Sequence, residues 1–220
     1  MRVLVACEYS GAVRDAFRAN GYDAMSCDLL PSDVPGPHYT GDVRDVLGDG
    51  WDLMVAHPPC TYLCSSGLHW NKRVPGRAAL TEEALDFVRL LLDAPIERIA
   101  LENPIGCIST RIRKPDQTVQ PYSFGDDASK STALWLKNLP PLIGTAYVAP
   151  RMVCCGAVVA DELGKYGCPS CEGARVARPR WANQTHSGQN RLGPSEDRWK
   201  LRSATHPGIA RAMADQRGIA

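Results

Sequence analysis

The sequence predicts an α/β fold: an open, doubly wound sheet followed by a small cysteine-rich module. Three observations carry this. Four short apolar runs, at 2–7, 22–27, 52–56 and 96–101, have the length and apolarity of buried strands. Helical patterns separate several of them, and alternation of this kind builds βαβ units. Four of the nine cysteines, Cys154, Cys155, Cys168 and Cys171, fall within eighteen residues late in the chain.

Each element has a local reason. Residues 2–7 (RVLVAC) form the first strand, and Glu8-Tyr9-Ser10-Gly11 turns the chain. A helix at 12–19 places Val13 and Phe17 on one face and stops at Asn20-Gly21. The second strand, 22–27, is closed by Asp28, and a proline-rich loop (PSDVPGP) follows at 31–37. An acidic turn with a short helix occupies 40–46, and 52–56 is the third strand. The stretch 60–79, which contains Gly, Ser and Pro, reads as a mobile loop. The clearest helix spans 81–93. Thr81 caps it, Glu82 and Glu83 suit its positive end, and Leu85, Val88, Leu91 and Leu92 make its apolar face. After the fourth strand at 96–101, residues 130–137 read as a short helix and 145–148 and 152–153 as strands. Residues 174–202 read as basic, irregular chain and 208–216 as a terminal helix.

Length and composition set bounds. A chain of 220 residues can bury one substantial core plus a small appendage. No apolar run approaches the roughly 20 residues of a membrane-spanning helix. The apolar opening is too short for a signal peptide. The expectation is a cytoplasmic protein with no membrane partner, its cysteines mostly reduced. Net charge is +1 but unevenly spread. Residues 1–150 carry 14 Lys and Arg against 18 Asp and Glu, a net −4; residues 151–220 carry 11 against 6, a net +5. A basic C-terminal part is compatible with a polyanionic partner, and equally with an ordinary solvated surface.

A strand, a glycine opening a helix, and an acid closing the next strand together form a nucleotide-binding arrangement. Gly11 lets a ligand approach the backbone, Asp28 is placed to accept from ribose hydroxyls, and Asp42 in Gly41-Asp42-Val43 can read an adenine amino group. With no G-x-G-x-x-G, a nucleoside lacking phosphates fits better than a dinucleotide. A structural βαβ unit with incidental acids is the other reading. Further on, Ala56-His57-Pro58-Pro59-Cys60-Thr61 and Ala100-Leu101-Glu102-Asn103-Pro104 each end an apolar run. Each places a reactive side chain at a strand's C-terminal edge, where open α/β sheets bind ligands. A cysteine and a carboxylic acid on neighbouring edges suit covalent attack on an electron-poor ring. On their own, His57 and His69 read as loop histidines and Cys64 as a packing residue.

At these segments the chain resembles the DNA cytosine-C5 methyltransferases. That family's Pro-Pro-Cys-Gln-x-Phe-Ser-x-x-Gly corresponds to Pro58-Pro59-Cys60-Thr61-Tyr62-Leu63-Cys64-Ser65-Ser66-Gly67, and its Glu-Asn-Val to Glu102-Asn103-Pro104. Its methyl-donor turn appears only in the degenerate form Cys7-Glu8-Tyr9-Ser10-Gly11. Its second-strand acid matches Asp28, and its Gly-Asp-Ile matches Gly41-Asp42-Val43. The family's Gln-x-Arg-x-Arg element is missing, and Lys130 is the nearest base downstream of the replacement. The chain is short for the family and looks most like its compact, phage-encoded members, which would place it in a bacterial host's cytosol.

The resemblance implies a Rossmann-like sheet that binds S-adenosylmethionine (SAM) and acts on double-stranded DNA. Cys60 would attack cytosine C6, and protonated Glu102, beside Asn103, would hydrogen-bond N3. Lys130 would contact a phosphate or the base carbonyl. Glu8, Tyr9, Ser10, Gly11, Asp28, Asp42, Val43 and Pro58 would line the cofactor site. The target base must be flipped out, and a loop carrying Trp70, Lys72 and Arg73 would close over it. Cys154, Cys155, Cys168 and Cys171 suit a structural zinc, with reduced core cysteines or a redox pair as the alternative. Arg178 and Arg180 beside them supply DNA contacts. The expected domains are 1–142 for SAM binding and catalysis, 143–202 for DNA recognition, and 203–220 as a helix packing back. The competing functions are another pyrimidine C5 modification, RNA cytosine methylation, and a catalytically inactive zinc-containing DNA-binding relative.

Overall fold

A computed structural model describes residues 1–155, 157–158 and 177–217. The chain divides into two compact units, one built from residues 1–119, 131–143 and 209 onward, the other from 120–130 and 144–208.

The first unit is built on a seven-stranded sheet. In chain order the strands are β1 (Arg2–Ala6), β2 (Asp23–Asp28), β3 (His38–Thr40), β4 (Leu53–Ala56), β5 (Arg98–Pro104), β6 (Gln117–Val119) and β7 (Thr132–Lys137). Across the sheet they run β3-β2-β1-β4-β5-β7-β6. The first five are parallel, and β7 is antiparallel to both β5 and β6. The expected α/β class, an open and mostly parallel sheet, is therefore the observed one. Strand order reverses between β1 and β4, and the crevice beyond the carboxyl ends of such a pair is where open α/β sheets take ligands.

Burial explains the central strands. Val3–Ala6 and Leu53–Ala56 are fully buried, as strands covered on both faces must be. Helix α1 (Ala12–Ala19) buries Val13 and Phe17. Between β4 and β5 come α2 (Ser65–Leu68) and α3 (Arg77–Leu92), which buries Leu85, Val88 and Leu91. A short α4 (Ile108–Arg111) follows β5.

The structure corrects several local expectations. Residues 132–137 form strand β7, not a helix, hydrogen-bonded between β5 and β6. Helix α3 begins at Arg77 behind left-handed Gly76, so Thr81 lies inside it. Thr81 is buried; its hydroxyl accepts from Asn71 Nδ2 at 2.8 Å and lies 3.2 Å from the Tyr62 carbonyl, tying helix to loop. The stretch after Cys60 is not a featureless loop. It holds α2 and a 3-10 turn, His69–Lys72, and is bonded to the segment after β5. Strands β3 and β6 are too short to read from periodicity.

The second unit holds a three-stranded antiparallel sheet in which β8 (Arg151–Cys154) lies between β10 (Arg178–Arg180) and β9 (Ala157–Val158). Residues 145–148 supply only a bridge, Phe124 to Ala146, instead of a strand. Tyr122 stacks on Trp181 with centroids 4.2 Å apart and meets Tyr147 edge-on at 5.9 Å. The basic stretch expected to be irregular contains β10 and α5 (Arg198–Ser203). Helix α6 (Pro207–Arg217) closes the described chain. Among the described residues, no helix is long and apolar enough to cross a membrane.

Candidate active site

Beyond the carboxyl ends of β1 and β2 lies a cavity of about 260 Å³ lined by Cys7, Asp28, Asp42, Val43, Pro59 and Phe87, among others. Asp28 ends β2; its Oδ1 accepts from Leu30 N at 3.0 Å. Burial raises its pKa above the ordinary carboxylate value. Burial, reinforced by the Asp28 charge, also raises the thiols: Cys27 to about 12, and Cys7 higher still. Both thiols are therefore held in the neutral form. Asp42 accepts from Arg44 N at 3.0 Å and from Arg44 Nη1 at 2.9 Å, which fixes its carboxylate at the start of the turn carrying Val43.

The turn after β1 is occupied by the protein itself. Glu8 is buried, and its carboxylate accepts from Val13 N at 2.7 Å and Arg14 N at 3.2 Å, so it caps α1. Ser10 Oγ lies 3.2 Å from that carboxylate, and Tyr9 is buried. Gly11 has φ +74°, and a Cβ there would sit 2.5 Å from Val34 Cγ2 and 2.6 Å from Arg14 Nη2. Arg14, fully buried, also donates to Ser26, Ser32 and the Pro35 carbonyl. The space beside the helix N-terminus that takes phosphate in dinucleotide folds is thus filled by Arg14 and the loop at 31–37.

Cys60 sits four residues beyond the end of β4 and is partly exposed. Its carbonyl accepts from Leu63 N and Cys64 N, both at 3.0 Å, making one tight turn. The turn is anchored to the segment after β5: Cys107 N donates to Leu63 O at 2.9 Å and Ser65 N to Ile105 O at 3.2 Å. Gly106 is required there, because a Cβ would sit 1.9 Å from Leu63 O. From β5 itself, buried Asn103 donates Nδ2 to the Pro58 carbonyl at 2.7 Å. A hydrogen bond from the Cys60 thiol lowers Cys64 to about 5; burial opposes this, and Ser66 and backbone amides add to it. Cys64 thus shares a hydrogen bond with the Cys60 thiol.

Glu102 lies within β5, because that strand runs on to Pro104. Its Oε2 is 2.9 Å from His57 Nδ1. From the sequence His57 reads as a loop histidine, yet it faces Glu102. The signal was present in the register: Ala56 pairs with Leu101, so the next residues of two parallel strands, His57 and Glu102, are level.

The residues expected at DNA fall in two places. Trp70 is 45% exposed, with Arg73 over its ring at 5.7 Å and His69 beside it at 4.9 Å; Lys72 is also exposed. Arg178, Arg180 and Lys130 belong to the second unit. Arg180 donates to the His186 and Pro179 carbonyls, and Lys130 Nζ to the Arg202 carbonyl at 2.9 Å. Cys154 is buried and Cys155 exposed, with their sulfurs 3.8 Å apart. Cys168 and Cys171 lie outside the described residues. Among the described residues, no group of three or more His, Cys, Asp or Glu could hold a metal.

Fold and site together define an α/β protein with a cavity beyond the carboxyl ends of β1 and β2, a thiol on the turn after β4 and a carboxyl on β5. No family model matches the chain, and no curated protein matches it. Among solved structures it is similar to an E. coli protein encoded within a prophage and described provisionally as a DNA modification methyltransferase. Identity is 14%, the TM-score is 0.46, and the match covers 77% of this chain. The chain spans 55% of the length of that protein.

Proposed function

We propose that this protein is a SAM-dependent DNA cytosine-C5 methyltransferase. The observation that supports it most is the register of β4 and β5. It sets Glu102 one strand away from the turn carrying Cys60, with Asn103 fastening that turn through Pro58.

The residues around the cavity fit a nucleoside cofactor. Asp28 offers a carboxylate to ribose hydroxyls, Asp42 and Val43 border a space for a purine, and Pro59 brings the cavity to the Cys60 turn. SAM held there would supply an electrophilic methyl group. Cytosine C5 needs activation before it can accept one. The Cys60 thiol gives its proton to the Cys64 sulfur it hydrogen-bonds and its sulfur bonds to C6, the C5=C6 pair shifts toward C4, and the displaced C4=N3 pair takes a proton from Glu102 at N3. After methyl transfer to C5, a base (water suffices) would take the C5 proton, its bonding pair would re-form C5=C6 as the S–C6 bond breaks and the Cys60 thiolate leaves, and the N3 proton would return to Glu102. The ring must leave the duplex to reach these groups, and Trp70, Lys72 and Arg73 offer stacking and charge beside the site.

For the cysteine cluster we propose a structural zinc. Four sulfurs at about 2.3 Å from one ion stand about 3.8 Å apart, which is the separation of Cys154 and Cys155. Cys168 and Cys171 would complete the set.

The test is transfer of labelled methyl from SAM to cytosine-containing duplex DNA, with single-stranded RNA alongside. Cys60→Ala should abolish transfer while SAM still binds. Label on RNA alone, or full activity without the thiol, would refute the reading. Elemental analysis for zinc tests the cluster.

A further inference from the structure

Glu102 does not stand alone, and its partner is a residue that the chemistry above leaves unused. His57 and Glu102 are held together over 2.9 Å, with side chains only 9% and 12% exposed. His57 cannot swing away easily: its backbone N–H donates to the Ala6 carbonyl at 2.9 Å, continuing the pairing of β1 with β4 past the strand end. Its other ring nitrogen, Nε2, is buried without a hydrogen-bond partner among the described residues. Leaving a buried imidazole nitrogen unpaired is costly, and a leucine would fill the same space without that cost.

Resting on the cytosine reading, we infer that His57 is a positioning residue that donates from Nδ1 to Glu102 Oε2, orienting the acid and stabilising the carboxylate left when its proton passes to N3. With the hydrogen on Nδ1, His57 meets Oε2 of the neutral acid, whose proton is carried on Oε1. When Cys60 bonds to C6, the Oε1–H bond breaks, N3 gains the proton, and Glu102 becomes an anion. The His57 bond does not move, but its acceptor now carries a full charge. Hydrogen bonds to charged acceptors are shorter and about twice as strong as neutral ones. The interaction is therefore worth more after proton transfer than before it, which is the condition for accelerating the step instead of only binding substrate. When the thiol is expelled, the proton returns to Oε1 and the pair resets.

The test uses the full-length protein with SAM and a random-sequence duplex whose cytosines are replaced by 5-fluorocytosine. Fluorine cannot leave C5 as a proton does, so the Cys60 adduct accumulates and is counted on a denaturing gel. His57→Leu fills the space without a donor; His57→Asn offers an amide N–H near the place of Nδ1. The leucine variant should form adduct about 10–100-fold more slowly at saturating DNA. Its half-saturating DNA concentration and SAM affinity should be unchanged, and the asparagine variant should recover most of the rate. Wild-type rates in His57→Leu would overturn the inference. So would an asparagine variant that melts like wild type yet is as slow as leucine. If wild-type protein itself forms no adduct, the cytosine reading falls and this inference falls with it.

Discussion

Asn103 Nδ2 lies 2.7 Å from the carbonyl oxygen of Pro58, and this bond lets β5 hold the chain that carries Cys60. Both groups are at the sheet's carboxyl edge and Asn103 is 1% exposed, so water cannot replace either partner cheaply. Asn103→Leu should cost about 1–3 kcal/mol in chemical denaturation. Methyl transfer should fall mainly in kcat, since the thiol's position is lost and not the cofactor cavity. Equal stability of the variant and wild type would show that the bond is incidental.

Gly106→Ala tests the other anchor. The new Cβ would sit 1.9 Å from Leu63 O and 2.8 Å from Cys64 Cα, both backbone atoms that cannot rotate aside. The Cys107-to-Leu63 hydrogen bond has to break to make room. A loss of about 3 kcal/mol or more is expected, read as a lower urea midpoint at unchanged slope.

The thiols should differ sharply in reactivity. At pH 6.5, iodoacetamide with peptide mass mapping should label Cys64, lowered to about 5, and leave Cys27, raised to about 12, and Cys7 unlabelled. Removing the donor with Cys60→Ala should slow Cys64 labelling at that pH about tenfold or more. Equal labelling in both proteins would disprove the thiol–thiol bond.

Asp28 predicts a pH dependence with a definite sign. In the proposed cofactor site its charged form would accept from ribose hydroxyls, and burial holds its pKa above 3.8. Cofactor affinity should therefore fall as pH drops through that raised value, at milder acidity than for an exposed aspartate. The free protein should respond oppositely. Because the native state favours the neutral acid, the Asp28 contribution to stability grows as pH falls through the same window. Calorimetric titration with SAM gives the first and melting curves the second. Asp28→Asn should bind SAM about 10–100-fold more weakly.

Much of the sheet was legible because β1, β2, β4 and β5 are buried runs bounded by turn residues. β7 was not. Its residues, TALWLK, include the helix formers Ala, Leu and Lys, and only the two flanking strands that take its hydrogen bonds make it extended. Gly76 at φ +77° starts α3 four residues before Thr81, whose capping chemistry is diverted to Asn71 and Tyr62. Within the site, Asp28 could be placed at the cavity from its strand-end position, and Asp42 from its place in the Gly41-Asp42-Val43 turn. Glu8 looked like a ligand contact, but its carboxylate points to the backbone donors of α1. His57 was hidden because its partner is 45 residues away, a separation that only strand pairing closes.

The second unit is assembled from two separate stretches of the chain, one of eleven residues between β6 and β7 and one of sixty-five after β7. No single pair of cuts in the gene would lift it out. Any exchange of this module between related proteins must carry both segments at once, so changes in its short strand-to-strand insert and in its long one should be inherited together.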